Sequence, residues 1–283
     1  MNPIGACTWI WTSPFSDAEA GLAAHVAELG FDVLEICIED PALVHAEPLR
    51  EAGEAAGIVY SVCGAYGPDR DFAADDPAFR ENAFEYTRSL IELAADAGAP
   101  VVVGPMYSAV GKERGADPAT EWRRAVDGIK RAAEVAEEHG VRLAVEPLNR
   151  YETDLVNTAE QGLGLCDEVG SDAVGLLLDT YHLNIEEKHP ADAIRLAGDR
   201  LFHFHACEND RGTPGTGHIE WESVLGALGD IGYEGHLVIE SFTPKVVAIA
   251  RAVSLWRPLD AEGDALASAG LSFLRSALRS AAA

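Results

Sequence analysis

Apolar and polar positions along this chain follow a repeating two-part pattern: a stretch with helical spacing ends in glycine or a polar turn, and a short apolar run follows. The joints read AELGFDVLEI, EAAGIVYSVC, ADAGAPVVVG, EEHGVRLAVE, DEVGSDAVGLLLD, AGDRLFHFHA and GDIGYEGHLVIE. With the opening run they predict eight strands, at about 4–8, 32–38, 58–63, 100–104, 141–146, 174–179, 201–206 and 236–240. Gly30, Gly57, Gly98, Gly140 and Gly170 each fall where a helix should stop, because glycine takes the left-handed conformation without a Cβ penalty. Ser16 with Glu19 and Thr158 with Gln161 have capping-box spacing, while Asp76-Pro77 and Asp117-Pro118 set an N-cap acceptor before a proline at the first helical position.

Runs such as Val101-Val102-Val103 and Leu176-Leu177-Leu178 are apolar on both faces, as parallel strands are when helices cover one side and a barrel interior the other. Eight such units in 283 residues predict an α/β fold, a TIM (β/α)8 barrel forming a single domain over 1–283, with a polar break at 258–264 and a last helix near 265–281. A doubly wound sheet usually needs fewer strands, and no GxGxxG follows the first one.

Charge narrows the partners. Asp and Glu number 47 against 21 Lys and Arg, a formal charge of -26, so nucleic acid and anionic membranes would meet a repulsive field. Five scattered cysteines without a CxxC pair fit reduced thiols, and the start lacks a basic, apolar leader. A cytoplasmic protein acting on a small molecule is the expectation.

In a barrel, chemistry gathers at the C-terminal ends of the strands. Strands five to eight there carry Glu146 (RLAVEP), Asp179 (LLLDT), His205 (FHFHAC) and Glu240 (LVIES), separated by 33, 26 and 35 residues, one strand–helix unit each. Taken singly, such an acid is as well explained by helix capping or by pairing with arginine. Three carboxylates and an imidazole buried together are stable only with a cation among them. An oxygen-rich set with one histidine favours Mn²⁺, Mg²⁺ or Co²⁺ over structural zinc. His182, in DTYHLN, is expected above that site, and Glu152 and Arg211 lie on loops where polar groups can grip a hydroxylated ligand. Trp9, Trp11, Tyr66, Met106, Tyr107 and Phe242 are available as pocket walls, although aromatic and apolar side chains are usually core in any role.

The segments VEPLNRYETDLVNTAEQG, LLLDTYHLNIEE, FHACENDRGTPGTGHIEW and LVIESF together resemble the ketose 3-epimerases, the D-tagatose and D-psicose 3-epimerase group of the xylose-isomerase-like sugar isomerase/epimerase superfamily. The likeness is strongest in the C-terminal half. It implies that Glu146, Asp179, His205 and Glu240 hold a divalent metal, Mn²⁺ first and Co²⁺ or Mg²⁺ as alternatives, with Glu146 and Glu240 also the acid/base pair. It further implies that Glu152, His182 and Arg211 contact the sugar, that Phe242 sits against its apolar side, and that the protein is a homodimer or homotetramer. Cys7, Thr8 and Trp9, and the segment GPMYSAVGK, depart from the best-known members.

The implied reaction inverts C3 of a free ketose: one glutamate removes the C3 proton, a cis-enediolate forms, and the other glutamate returns a proton to the opposite face. Three alternatives use the same metal site: an aldose-ketose isomerase, a hydroxypyruvate isomerase, or a related sugar or inositol dehydratase.

Overall fold

Eight apolar runs pair edge to edge in chain order: β1 (Ile4–Cys7), β2 (Val33–Ile38), β3 (Val59–Gly64), β4 (Val101–Gly104), β5 (Arg142–Val145), β6 (Val174–Asp179), β7 (Leu201–His205) and β8 (Leu237–Ile239). All are parallel, and β8 returns to β1, so the sheet closes into a barrel without free edges. The structure, a computed structural model, describes residues 2–111, 117–242, 244, 247–258 and 263–281.

Strands that are apolar on both faces are buried on both faces. Every residue of β1, β2, β4 and β6 is buried, and the helices between strands cover the outside of the cylinder. All five expected stop glycines adopt left-handed φ angles, between 67° and 101°. Asp76 and Asp117 accept from Ala78 N and Thr120 N as N-caps, each followed by its proline. Both capping boxes form. The box at Ser16 opens a short 3₁₀ turn, and the α-helix proper begins only at Leu22 (Leu22–Leu29), after Gly21, a poor helix former.

The last helix, Asp264–Ala281, buries Leu266, Leu271 and Leu274, each contributing about 1.5–3 kcal/mol of apolar burial. Gly270 lets it approach the barrel, since a Cβ there would stand 2.8 Å from Ile239 Cδ1 on β8. Residues 259–262 of the polar break lie outside the described residues. Among the described residues no helix is long and apolar enough to cross a membrane.

Close strand packing demands small residues at particular places. A Cβ on Gly175, in β6, would lie 2.5 Å from the Arg200 carbonyl oxygen and 2.6 Å from Phe202 Cδ2. At Gly57 nothing lies within 4 Å, and only the positive φ opposes a side chain. Gly175→Ala should therefore cost about 3 kcal/mol by overpacking, and Gly57→Ala about 1 kcal/mol for its left-handed backbone. Urea unfolding of the two variants checks this, and equal midpoints would refute it.

Candidate active site

Glu146 directly follows β5, Asp179 ends β6, His205 ends β7 and Glu240 directly follows β8, so the closed barrel carries all four to one end. Their donor atoms all lie within 4.8 Å of one another, and all four side chains are buried. His205 Nδ1 is 3.8 Å from Glu146 Oε1, 3.8 Å from Asp179 Oδ2 and 3.7 Å from Glu240 Oε1, and it has no hydrogen-bond partner. Donors about 2.1 Å from a shared divalent ion stand roughly 3–3.5 Å apart, so small inward shifts would complete a coordination shell. The donor set and its spacing fit a divalent cation.

The imidazole is aimed by a residue that the strand-end pattern passes over. Glu35, in the middle of β2, reaches across the barrel interior and accepts from His205 Nε2 at 2.8 Å. A carboxylate only accepts, so Nε2 carries the proton and Nδ1 faces the three acids. Glu35 also accepts from Ser61 Oγ at 2.9 Å and lies 2.8 Å from His203 Nε2. Burial pushes the Glu35 carboxyl up, but the attraction of His205 and His203 outweighs it and leaves the pKa lowered. The two imidazoles that share one face of β7 thus divide their tasks, with His203 deeper in the barrel against Glu35.

The remaining acids show the tension of buried like charge. Burial and the neighbouring Glu240 hold Glu146 well above the usual carboxylate range. Burial acts on Asp179 in the same sense, but Arg211 overrides it and Asp179 stays ionised. Arg211 Nη1 lies 2.6 Å from Asp179 Oδ2, 2.6 Å from Glu240 Oε2 and 3.0 Å from Cys207 Sγ, and its guanidinium lies over the Tyr181 ring at 4.0 Å.

Arg211 takes a left-handed backbone with φ 66°, uncommon outside glycine. Glu208 sustains it. This fully buried carboxylate accepts from Asn209 N, Gly215 N, Ile219 N and Trp221 Nε1 at 3.1, 2.8, 3.0 and 3.0 Å, folding the loop after β7 around itself.

His182 is buried, and burial followed by Arg211 lowers its pKa to about 3, so it is neutral at physiological pH. The Asn149 backbone N–H donates to Nδ1 at 3.0 Å. Its proton is therefore on Nε2, 3.7 Å from Glu146 Oε1. Arg211 Nη2 at 3.2 Å from Nε2 is then a contact between two donors, not a hydrogen bond. Glu152 Oε1 accepts from Asn149 Nδ2 at 2.8 Å, and burial raises its pKa.

Glu146, Glu152, His182, Arg211, Glu240 and Phe242 line one cavity of about 560 Å³, and Asp179 and His205 are buried behind them. Phe242 stacks on Trp9 with ring centres 5.5 Å apart, and Trp9 Nε1 donates to Glu39 Oε1 at 2.8 Å. Val110 from the segment after β4 and Ile249 and Val253 from the segment after β8 add apolar lining, alongside Glu39, Asp69 and Arg70. Tyr66 is also in the lining. The other expected wall residues are used elsewhere: Trp11 bonds Asp264, Tyr107 bridges Leu148 N and Val156 O, and Met106 is core.

A family profile described as xylose isomerase-like TIM barrel matches residues 23–277. The chain is 32% identical to an L-ribulose 3-epimerase of Mesorhizobium japonicum over 99% of its own length and 96% of that relative. It is 35% identical to a D-psicose 3-epimerase of Enterocloster bolteae, covering 83% of this chain and 80% of the relative. Among solved structures, a D-allulose 3-epimerase from Methylomonas sp. in complex with D-allulose aligns with a TM-score of 0.92 at 30% identity, over 97% of this chain and 96% of that one.

Breaking the Glu35 pair should be felt in stability. Glu35→Gln leaves the buried His205 imidazolium without its countercharge and should cost about 3–5 kcal/mol at neutral pH. Glu152→Gln, at a position where burial already disfavours the ionised form, should cost less than about 1 kcal/mol. Because folding lowers the Glu35 pKa, its contribution is present above the ordinary value of 4.5 and is lost as pH falls below it. The difference between wild type and Glu35→Gln in urea unfolding should shrink towards acid; a gap that widens there would contradict the assignment.

Proposed function

The chain belongs to the xylose isomerase-like TIM barrel family and is an isomerase of its ketose 3-epimerase group; from that premise we propose that it inverts C3 of a free ketose with a divalent metal and the glutamate pair Glu146 and Glu240. The observation that carries this reading is the pairing itself. Two glutamates from β5 and β8 border one cavity, each within 3.8 Å of the same imidazole nitrogen, His205 Nδ1.

Glu146, Asp179, His205 and Glu240 would hold the ion, Mn²⁺ first and Co²⁺ or Mg²⁺ as alternatives. When bound, it supplies Lewis-acid stabilisation of negative charge on the substrate oxygens. The protein's own groups do the rest. Burial and the neighbouring Glu240 hold Glu146 well above the usual carboxylate range, which favours its protonated form. In the proposed cycle one glutamate acts as base and the other as acid. The base takes the C3 proton, the C3–H electron pair becomes the C2–C3 double bond of a cis-enediolate, and the acid delivers its proton to the opposite face of C3. The carbonyl re-forms, and the glutamates have exchanged protonation states, so the reverse reaction uses the same two groups. No redox change occurs.

Positioning falls to His182, Arg211 and Glu152. The Nε2–H of His182 is a neutral donor into the cavity, Arg211 offers charged donors beside Glu240, and Glu152 accepts from a sugar hydroxyl. Phe242, backed by Trp9, meets the apolar face of the carbon chain. The sugar class is the one that the relatives' names share, ketoses such as L-ribulose and D-psicose.

Incubation with L-ribulose, D-fructose and D-tagatose should give the C3 epimer of each, with loss of activity on chelation and recovery with Mn²⁺. Run in D₂O, the epimer should carry deuterium at C3. An aldose product, or label at C1 or C2 alone, would replace this reading with an aldose-ketose isomerase; loss of water would indicate a dehydratase. Glu146→Gln and Glu240→Gln should each lower kcat by about 10²-fold or more, since positioned acid/base groups contribute about 10²–10⁴-fold. Steady-state kinetics check this, and an unchanged kcat in either variant would remove that residue from the mechanism.

A further inference from the structure

Three thiols face one another on the barrel wall formed by β1, β2 and β3. Cys7 ends β1, Cys37 lies two residues beyond Glu35 on β2, and Cys63 pairs in register with Cys37 from β3. Residues two apart on a strand share a face, so Cys37 points into the barrel as Glu35 does. All three are free thiols and buried, and Cys37 Sγ lies 3.9 Å from the Glu35 carbonyl oxygen. Cys37 Sγ, Cys63 Sγ and a Glu35 carboxylate oxygen lie within 4.8 Å of one another. Cys63 also lines the 560 Å³ cavity, which gives the cluster a path to solvent.

We propose that Cys37, Cys63 and Glu35, with Cys7 beside them, form a second cation site, separate from the oxygen-rich cluster and selective for thiophilic ions. Sulfur donors about 2.3 Å from a tetrahedral ion stand roughly 3.8 Å apart, so the present spacing needs to contract by no more than about 1 Å. Glu35 has capacity for a ligand bond, because the hydrogen bonds from His205 and Ser61 use two of its four lone-pair positions. Burial raises the pKa of all three thiols, so the sulfurs carry no charge until an ion displaces their protons. Binding is then an exchange: one dication enters, two S–H bonds at Cys37 and Cys63 break, two metal–sulfur bonds form and two protons leave. Hard ions such as Mn²⁺ and Mg²⁺ gain little from sulfur and do not drive that exchange, whereas Cd²⁺, Zn²⁺ or Cu⁺ do.

Cd²⁺ is the probe, added to full-length protein holding excess Mn²⁺ so that the oxygen-rich site is blocked. The expected result is a thiolate-to-cadmium charge-transfer band in the ultraviolet that saturates at one equivalent, with two protons released per ion. The band should vanish in Cys37→Ala and in Cys63→Ala and persist in Cys166→Ala and Cys207→Ala. Cys207 is the critical control, since its Sγ lies 3.1 Å from Asp179 Oδ2 in the oxygen-rich cluster. Absence of a band, survival of the band in both Cys37→Ala and Cys63→Ala, or its loss in Cys207→Ala alone would overturn the proposal. Cadmium NMR of the unaltered protein decides the matter should the core variants not fold: a signal in the range of two or more sulfur donors supports the site, and an all-oxygen signal refutes it.

Discussion

The structure turns on one electrostatic constraint: three carboxylates and an imidazole are buried in contact at the mouth of the barrel. Carboxylates taken out of water repel one another and lose hydration, at an effective cost of several kcal/mol per ion unless positive charge or hydrogen bonds answer them. The protein answers from two sides. Arg211 lies between Asp179 and Glu240, and Glu35 fixes the imidazole so that His205 Nδ1 faces the acids. The barrel is the frame that makes this possible, because only closure of the sheet brings the ends of β5, β6, β7 and β8 to one level while β2 reaches the same imidazole from across the interior.

Much of this was legible in the chain because the barrel writes its geometry in a simple code. A strand-end acid or histidine at each of four successive units, in RLAVEP, LLLDT, FHFHAC and LVIES, maps directly onto a cluster in space. Helix ends were equally readable, since stop glycines and N-cap aspartates act within a few residues of their position. Glu35 was not readable by that rule. It stands in the middle of an apolar run, VLEICI, and its partners His203 and His205 lie five strands away, a pairing that only closure reveals. A single acid inside an otherwise apolar inner strand is the signal that was there to be used. Glu208 was hidden for a different reason: three of its four donors come from its own loop and the fourth from Trp221 at the start of the next helix, and a loop's internal hydrogen bonds have no period.

Glu208 and Glu35 belong to one scheme. Neither lines the cavity, yet each braces a residue of the cluster: Glu208 ties together the loop that carries Arg211, and Glu35 holds His205 by its Nε2. Precision in the charged cluster is thus delegated to buried acids whose own charges are satisfied inside the protein.

The apolar side chains of the cavity lining have an implication for how such a protein can change. Val110, Ile249 and Val253 come from connecting segments and contribute no atom to the charged cluster. Exchanging them for larger or smaller side chains would reshape the cavity while leaving the ionic balance at the strand ends untouched. The shape of the cavity and the charge at its floor are therefore set by different residues, so one can be altered by a single bulky side chain without disturbing the other.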